Sequence, residues 1–416
     1  MKAVVFTLGC KVNGCESGSL ARGLAERGWE VSDELVPADL YILNTCAVTG
    51  EAEKKSRQAI ARICAVAPAA RIIVCGCAAE KTPEIFAQKQ NVTLVTGARQ
   101  KGKILSLLDG GSAGVCLDEN DSVYDELPPP ETFKTRAFIK IQDGCNNFCS
   151  YCIIPYLRGR SRSRSLEGAA EEILSCGAAE AVITGIDVSS YNDGGRGLPA
   201  LLLAVQNAPC RIRLGSLEVS AVTEDLLCAA KQVRDFAPHF HLSLQSGSDA
   251  VLKKMNRHYT GEEYLARVEL IRRHFPDAAI TTDIIAGFPS ETEEDFEETL
   301  AFAEEIGFSQ IHCFPYSRRT GTVAAKMKEV PAEVKSARLH KLLALAEKLK
   351  GEYEQKFIGK ILEFVPEEVK DGYTEGYSEN YIRLYLAGEY AKSMPVRAED
   401  AFKDGLFAQI PHKEGD

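Results

Sequence analysis

The chain has 416 residues, of which 45% are hydrophobic and 26% charged, with a formal net charge of −10, a balance that fits two or three globular units. No apolar run approaches the roughly 20 residues that cross a bilayer, which excludes a membrane-spanning reading, and the acidic total opposes nucleic-acid binding except through local basic clusters. Fourteen cysteines and no export signal after Met1 predict reduced thiols and metal binding in the cytoplasm, not a disulfide framework.

Residues 1–125 alternate strand-like and helix-like stretches, with strands over 2–8, 40–44 and 71–75 and helices over 17–27 and 51–66. The rhythm predicts a small parallel α/β domain. Cys10, Cys46 and Cys77 each fall just past a predicted strand, in the turns Leu8-Gly9-Cys10, Asn44-Thr45-Cys46 and Cys75-Gly76-Cys77. Ligands of open α/β sheets bind at that edge. Converged, the three thiols can hold an iron–sulfur cluster; apart, they are buried free cysteines, a common role. Alternation puts Cys75 inside the strand and in the core.

An acidic stretch, 118–130, ends in Pro128-Pro129-Pro130 and marks a boundary. Between 131 and 352, strand candidates lie over 137–141, 181–184, 212–214, 240–244, 280–285 and 310–314. Each runs into polar or small residues, which predicts an open partial (β/α)6 barrel with functional groups at its C-terminal strand ends. A helix over 333–355 follows.

After the first of these strands comes Gly144-Cys145-Asn-Asn-Phe-Cys149-Ser-Tyr151-Cys152. Three thiolates on one short loop hold three corners of a four-iron cluster and leave one iron open. The Cys-x-x-x-Cys-x-x-Cys spacing, with an aromatic residue before the last cysteine, is the signature of radical S-adenosylmethionine (SAM) enzymes. There the cofactor takes the open iron and is cleaved by one electron to a deoxyadenosyl radical. A zinc knuckle competes with this reading, but zinc needs paired closed ligands and no second pair follows nearby. Tyr151, Asp187, Ser216, Glu218, Gln245 and Gly287 lie in the cysteine loop or at strand ends and are the candidates for holding SAM. The carboxylates suit ribose hydroxyls or the SAM ammonium, and Gly287 allows close backbone approach. Arg158, Arg160, Arg162 and Arg164 recur at every second residue. Extended, they share one side and can bind phosphates; the alternative is a salt-bridged loop.

Residues 353–416 change character. Short strands over 360–365, 373–377 and 382–386, separated by turn residues, predict a small all-β barrel of oligonucleotide-binding type.

The stretches TLGCKVN at 7–13, NTCAVT at 44–49, GCNNFCSYCIIPYLRGRSRSR at 144–164, RLGSLE at 213–218, LSLQSGSD at 242–249 and DIIAGFPSET at 283–292 resemble the methylthiotransferase family of radical SAM enzymes over nearly the whole chain. The resemblance implies an N-terminal methylthiotransferase domain, a radical SAM core and a C-terminal TRAM domain that binds RNA. It implies an auxiliary 4Fe–4S cluster on Cys10, Cys46 and Cys77 and a second, SAM-binding 4Fe–4S cluster on Cys145, Cys149 and Cys152. Within the family, TLGCKVN, NTCAVT and Ala52–Gln58 are similar to the branch acting on N6-threonylcarbamoyladenosine in tRNA, just 3′ of the anticodon. One SAM then methylates sulfur held at the auxiliary cluster, and another yields the radical that takes hydrogen from adenine carbon 2. The implied partners are tRNA, SAM and an electron donor such as flavodoxin or ferredoxin, with no membrane. Gly14-Cys15 departs from the branch's Gln-Tyr, and Ser290 stands where glycine is usual. Sister enzymes acting on isopentenyladenosine tRNA or on a ribosomal protein share the cluster motifs. A non-catalytic, metal- and RNA-binding protein is the rival from another class.

Overall fold

The computed structural model describes residues 1–47, 50–99, 101–117, 123–130 and 135–411. The start of the expected linker, 118–122, and Val48 and Thr49 of the NTCAVT stretch lie outside these. Six strands, β1 (Lys2–Thr7), β2 (Glu30–Ser32), β3 (Leu40–Thr45), β4 (Arg71–Gly76), β5 (Val92–Thr96) and β6 (Gly114–Cys116), form a parallel sheet in the order β2-β1-β3-β4-β5-β6. A parallel sheet buries both faces, and β3 is buried at every position. Ala59, Ile60 and Ile63 of the helix Gly50–Val66 cover one face; Leu20, Ala21 and Leu24 of the helix Lys11–Ala25 cover the other. The strand order reverses between β1 and β3, which places the turns after both strands at the edge where such sheets bind ligands. The first helix starts at Lys11, six residues earlier than its apolar pattern predicts. Its polar first turns are buried, including Asn13, Glu16 and Ser17.

The second body carries β7 (Arg136–Asp143), the short antiparallel β8 (Arg162–Ser163), then β9 (Glu180–Gly185), β10 (Arg211–Leu214), β11 (His239–His241), β12 (Ala279–Ala286) and β13 (Gln310–Pro315). β7, β9 and β10 pair in parallel, as do β11, β12 and β13, and the parallel bridge Leu217–Leu242 joins the two groups. Among the described residues β7 and β13 do not pair, so this is an open six-stranded barrel. Its outward residues, such as Ile139, Phe240, Leu242, Ile284 and Ile311, pack beneath the helices.

β14 (Ile361–Lys370), β15 (Tyr373–Tyr377), β16 (Arg383–Ala387), β17 (Met394–Phe402) and β18 (Gly405–Gln409) close a barrel in the order β14-β15-β16-β18-β17. It docks on the N-terminal ends of the parallel strands, away from the cysteine loop. Arg213 donates to the Ser378 and Glu379 carbonyls at 3.2 and 3.1 Å, and Tyr381 stacks on His239 at 4.6 Å.

Ser290 adopts φ +65°, a left-handed conformation that costs a side-chain-bearing residue about 1–2 kcal/mol, partly offset by the extra entropy glycine loses on folding. Ser290→Gly is therefore expected to stabilise the fold by about 0.5–1 kcal/mol. Thermal unfolding checks this; a lower Tm in the variant would refute it.

Candidate functional site

The three N-terminal cysteine turns meet at one edge of the first sheet. Gly9 takes φ +111°, and a Cβ there would lie 2.7 Å from Cys46 Sγ. Gly76 takes φ +95°, and its Cβ would lie 2.4 Å from the Thr45 carbonyl oxygen. Only glycine permits these approaches, and they bring the Cys10 turn against Cys46 and the Cys77 turn against Thr45. Cys46 and Cys77 are buried, each 3% exposed, while Cys10 is exposed. Cys75 sits on the opposite face of the sheet, packed with Leu20 and Ile42. Asn13 ties the turns together, donating to the Leu8 and Thr45 carbonyls at 2.8 and 3.0 Å.

The loop with Cys145, Cys149 and Cys152 leaves the C-terminal end of β7. Its residue Phe148 is left-handed, φ +47°. Burial pushes the Cys145 and Cys152 thiols up to about 12, and Cys145 also accepts from the Asn147 N–H at 3.4 Å. Metal binding deprotonates such thiols outright, and three soft sulfur donors on one loop fit iron–sulfur ligation. Asp187 Oδ2 lies 3.8 Å from Cys145 Sγ and accepts from Asn147 Nδ2 at 3.3 Å. Glu218 reaches the loop through Arg257, which pairs with its carboxylate and donates to Cys149 Sγ at 3.3 Å. The Tyr151 ring packs edge-on to Phe288 at 6.4 Å. Gln245 is buried with φ +70°, and its backbone bonds to Asp283 and Ile285. Ser216 is exposed at the end of β10. At Gly287 the space a Cβ would take is filled by Lys335, so the expected open approach is occupied by a side chain of the protein itself.

The two cysteine groups face each other. Ile153 and Leu157, which follow Cys152, pack in one core with Ala47, Cys77 and Ala78. Cys152 and Cys77 are near enough that each thiolate would feel the other's charge. A buried ionic network fixes the spacing. Glu16 accepts from Lys140 at 2.7 Å and Arg158 at 2.9 Å, and also binds Lys101. Asp143, two residues before Cys145, accepts from Lys140 at 2.7 Å and from Arg158 at 3.0 Å. Arg158 Nη2 donates to Asn13 Oδ1 at 2.8 Å. Burial alone would raise Glu16, but Arg158, Lys101 and Lys140 outweigh it and hold the carboxyl well below its usual range.

This network overturns the phosphate-binding reading of three arginines. Arg158 is 0% exposed, Arg162 pairs with Asp143 at 3.4 Å, and Arg164 pairs with Glu172 and Glu126. Arg160 is exposed and lies over the Phe148 ring at 4.6 Å. Arg162→Glu puts a carboxylate beside buried Asp143 and is expected to cost about 3–5 kcal/mol. Arg160→Glu, on an exposed side chain, is expected to cost less, its cation–π contact with Phe148 being worth about 1 kcal/mol or less. Chemical denaturation of the two variants checks the split; equal losses would contradict the placement.

Sequence reasoning missed Asn13, Glu16, Lys101 and the segment 254–257. The Lys254 and Met255 carbonyls accept from Ser150, and Asn256 donates to the Asn147 and Phe148 carbonyls, so this segment clamps the cysteine loop. No local spacing signals Arg257, which lies 108 residues beyond Cys149. Asn13 and Glu16 stand in and just after TLGCKVN, and a polar residue on the buried side of a helix was their one available signal.

Residues 139–303 match the radical SAM superfamily, and residues 2–97 match a family described as uncharacterized protein family UPF0004. The threonylcarbamoyladenosine tRNA methylthiotransferase MtaB of Bacillus subtilis is 40% identical over 386 residues, 88% of this chain and 85% of that protein. The tRNA-2-methylthio-N(6)-dimethylallyladenosine synthase of Caldicellulosiruptor saccharolyticus is 38% identical over 394 residues, 89% and 82% of the two chains. Among solved structures, the radical SAM methyltransferase TsrM of Kitasatospora setae superposes with a TM-score of 0.56 at 14% identity, over 78% of this chain and 77% of that one, a likeness of fold. With curated relatives matched along nearly nine-tenths of its length and a radical SAM barrel set against a cysteine-bearing parallel sheet, the chain belongs to the methylthiotransferase family of radical SAM enzymes.

Proposed function

We propose that this enzyme adds a methylthio group to carbon 2 of N6-threonylcarbamoyladenosine in tRNA, with SAM and 4Fe–4S clusters held at two sites. Cys145, Cys149 and Cys152 hold the SAM-binding cluster, and Cys10, Cys46 and Cys77 the auxiliary one. The observation that carries this reading is the approach of the two cysteine-bearing segments, whose residues share one core and are joined by the Asn13–Glu16–Arg158–Asp143 network. When bound, the clusters and SAM supply the radical and the sulfur. The chain's residues fix the geometry: Arg257 sets a positive charge against Cys149, and Asp187 sits beside Cys145. The barrel wall keeps out water and thiols that would quench a radical.

At the rim of the cysteine loop, Arg160 covers Phe148, and Tyr156, 50% exposed, meets the same ring edge-on at 5.6 Å. Aromatic rings with a guanidinium stack RNA bases, which supports tRNA as substrate. A flavodoxin- or ferredoxin-like protein supplies electrons, in the cytoplasm; no helix among the described residues is long and apolar enough to cross a membrane. The threonylcarbamoyl substituent is favoured by the relatives of that name, and the relatives named for dimethylallyladenosine support the second reading. Nucleoside mass spectrometry of tRNA from a strain lacking the gene separates them. Loss of the methylthio form of N6-threonylcarbamoyladenosine, with its precursor accumulating, is expected. Loss of the dimethylallyl product alone would overturn the assignment.

A further inference from the structure

The inner wall of the open barrel carries an unassigned polar group. His241 on β11, Asp283 on β12 and His312 on β13 stand side by side, their nearest ligand-type atoms all within 4.8 Å of one another. Their strand neighbours Phe240, Leu242, Ile284 and Ile311 point outward into the core under the helices, so by strand alternation these three face the lumen. Thr281 Oγ1 lies 3.0 Å from His241 Nδ1, which orients the ring and leaves Nε2 toward Asp283 Oδ2 at 3.5 Å. The His241 and His312 rings are 5.8 Å apart.

A cation reaches the same lumen from the other sheet. Lys11, the residue after Cys10, is exposed and holds its ammonium 5.9 Å from the ring centroid of Phe138 on β7. Phe138 also faces inward, between Ala137 and Ile139 of the outer core. β7 and β13 leave the barrel open between them, and the Lys11 charge is close enough to act on His312 and His239.

The group stands in the lumen between the C-terminal barrel, whose Tyr377 and Tyr381 line a pocket with His312 and Thr281, and the cysteine loop. His241 and Ser243 are two residues apart on one side of the chain, about 7 Å along a strand. The Ser243 carbonyl accepts from Arg257 at 3.1 Å, and Arg257 touches Cys149. Lys11 is bonded to the candidate ligand Cys10 by one peptide link. A purine ring with its carbon 2 between the two cysteine sites would have to extend its N6 substituent down the lumen to reach this wall.

We propose that Lys11, His241, Asp283 and His312 form the subsite for a carboxylate-bearing substituent on N6 of the substrate adenine. The Lys11 ammonium pairs with the carboxylate; the imidazoles and Asp283 hydrogen-bond the hydroxyl and ureido groups. This rests on the threonylcarbamoyl reading above and names the residues that select it. A divalent cation is the competing occupant of two imidazoles and a carboxylate, and the nearby ammonium disfavours it.

The test uses the protein reconstituted with both clusters and one tRNA in two forms, with and without the threonylcarbamoyl group. Wild type is expected to bind the modified form about tenfold more tightly, the scale of one charge-assisted hydrogen bond. Lys11→Met and His312→Phe should each bring that ratio toward one, with iron content and absorption spectrum as wild type. A preserved ratio in both variants overturns the subsite. So does one non-iron divalent ion per chain that Asp283→Asn releases. The wild-type product, read by nucleoside mass spectrometry, reports separately on the substrate: a methylthio group on dimethylallyladenosine alone overturns the threonylcarbamoyl reading itself.

Discussion

Replacing Cys145, Cys149 and Cys152 together with alanine is expected to abolish SAM cleavage and lower the reconstituted iron content from about eight to about four atoms per chain. The three thiols lie on one loop, half-buried, and the fold does not depend on them. Backbone bonds hold the loop, from the Cys145 N–H to the Gly159 carbonyl at 3.1 Å and from the Ser150 N–H to the Met255 carbonyl at 2.9 Å. The variant should therefore fold and keep the N-terminal site. Anaerobic reconstitution, iron analysis and chromatography for deoxyadenosine check this. Deoxyadenosine formed at the wild-type rate would sink the assignment of this triad. Arg257→Met is the graded companion, because it leaves every thiol in place and removes the positive charge against Cys149.

The second large effect separates two half-reactions. With Cys10, Cys46 and Cys77 replaced by alanine, deoxyadenosine should still form, because the loop at 145–152 is untouched. Methylthiolation should vanish, because no thiol remains at the sheet edge to hold the iron that carries sulfur. Cys75→Ala provides the contrast. Cys75 is fully buried on the other face of the sheet, so its loss costs stability, about 1–2 kcal/mol for a small cavity, and leaves transfer intact. Mass spectrometry of tRNA nucleosides reads transfer, and circular dichroism reads folding. Full transfer by Cys77→Ala together with none by Cys75→Ala would reverse the ligand choice.

Features set by local chemistry were legible in the residues alone. Apolar, β-branched runs place β1, β3 and β4 of the first sheet and the six parallel strands of the second body, since such runs are what a sheet buried on both faces requires, while β2, β5 and β6 were not read as strands. The cysteine loop is legible because its three thiols lie within eight residues of one another, so their spacing is itself geometry. In the C-terminal barrel the strands over 361–370, 373–377 and 383–387 were visible, whereas 394–402 and 405–409 were not. β17 carries Pro395, Arg397, Glu399 and Asp400 on a largely exposed side, and its pairing with β14 and β18 supplies what propensity does not.

Charge placement was decided by tertiary structure. A period of two put four arginines on one side of an extended strand, but the segment folds as a short helix, Ile154–Arg158, then a turn and a two-residue strand. Arg158 then meets Glu16, 142 residues away. A buried guanidinium needs its carboxylate partner because the cost of removing charge from water is several kcal/mol, and only the folded chain brings that partner near. The same holds for Arg257 against Cys149 and for Lys11 in the barrel. The sequence by itself determined the spacing of the cysteines within 145–152 and the parallel strands of the second body; the docking of one sheet edge against the mouth of the barrel decided which charges face each other, because electrostatic pairing depends on distance in space and not along the chain.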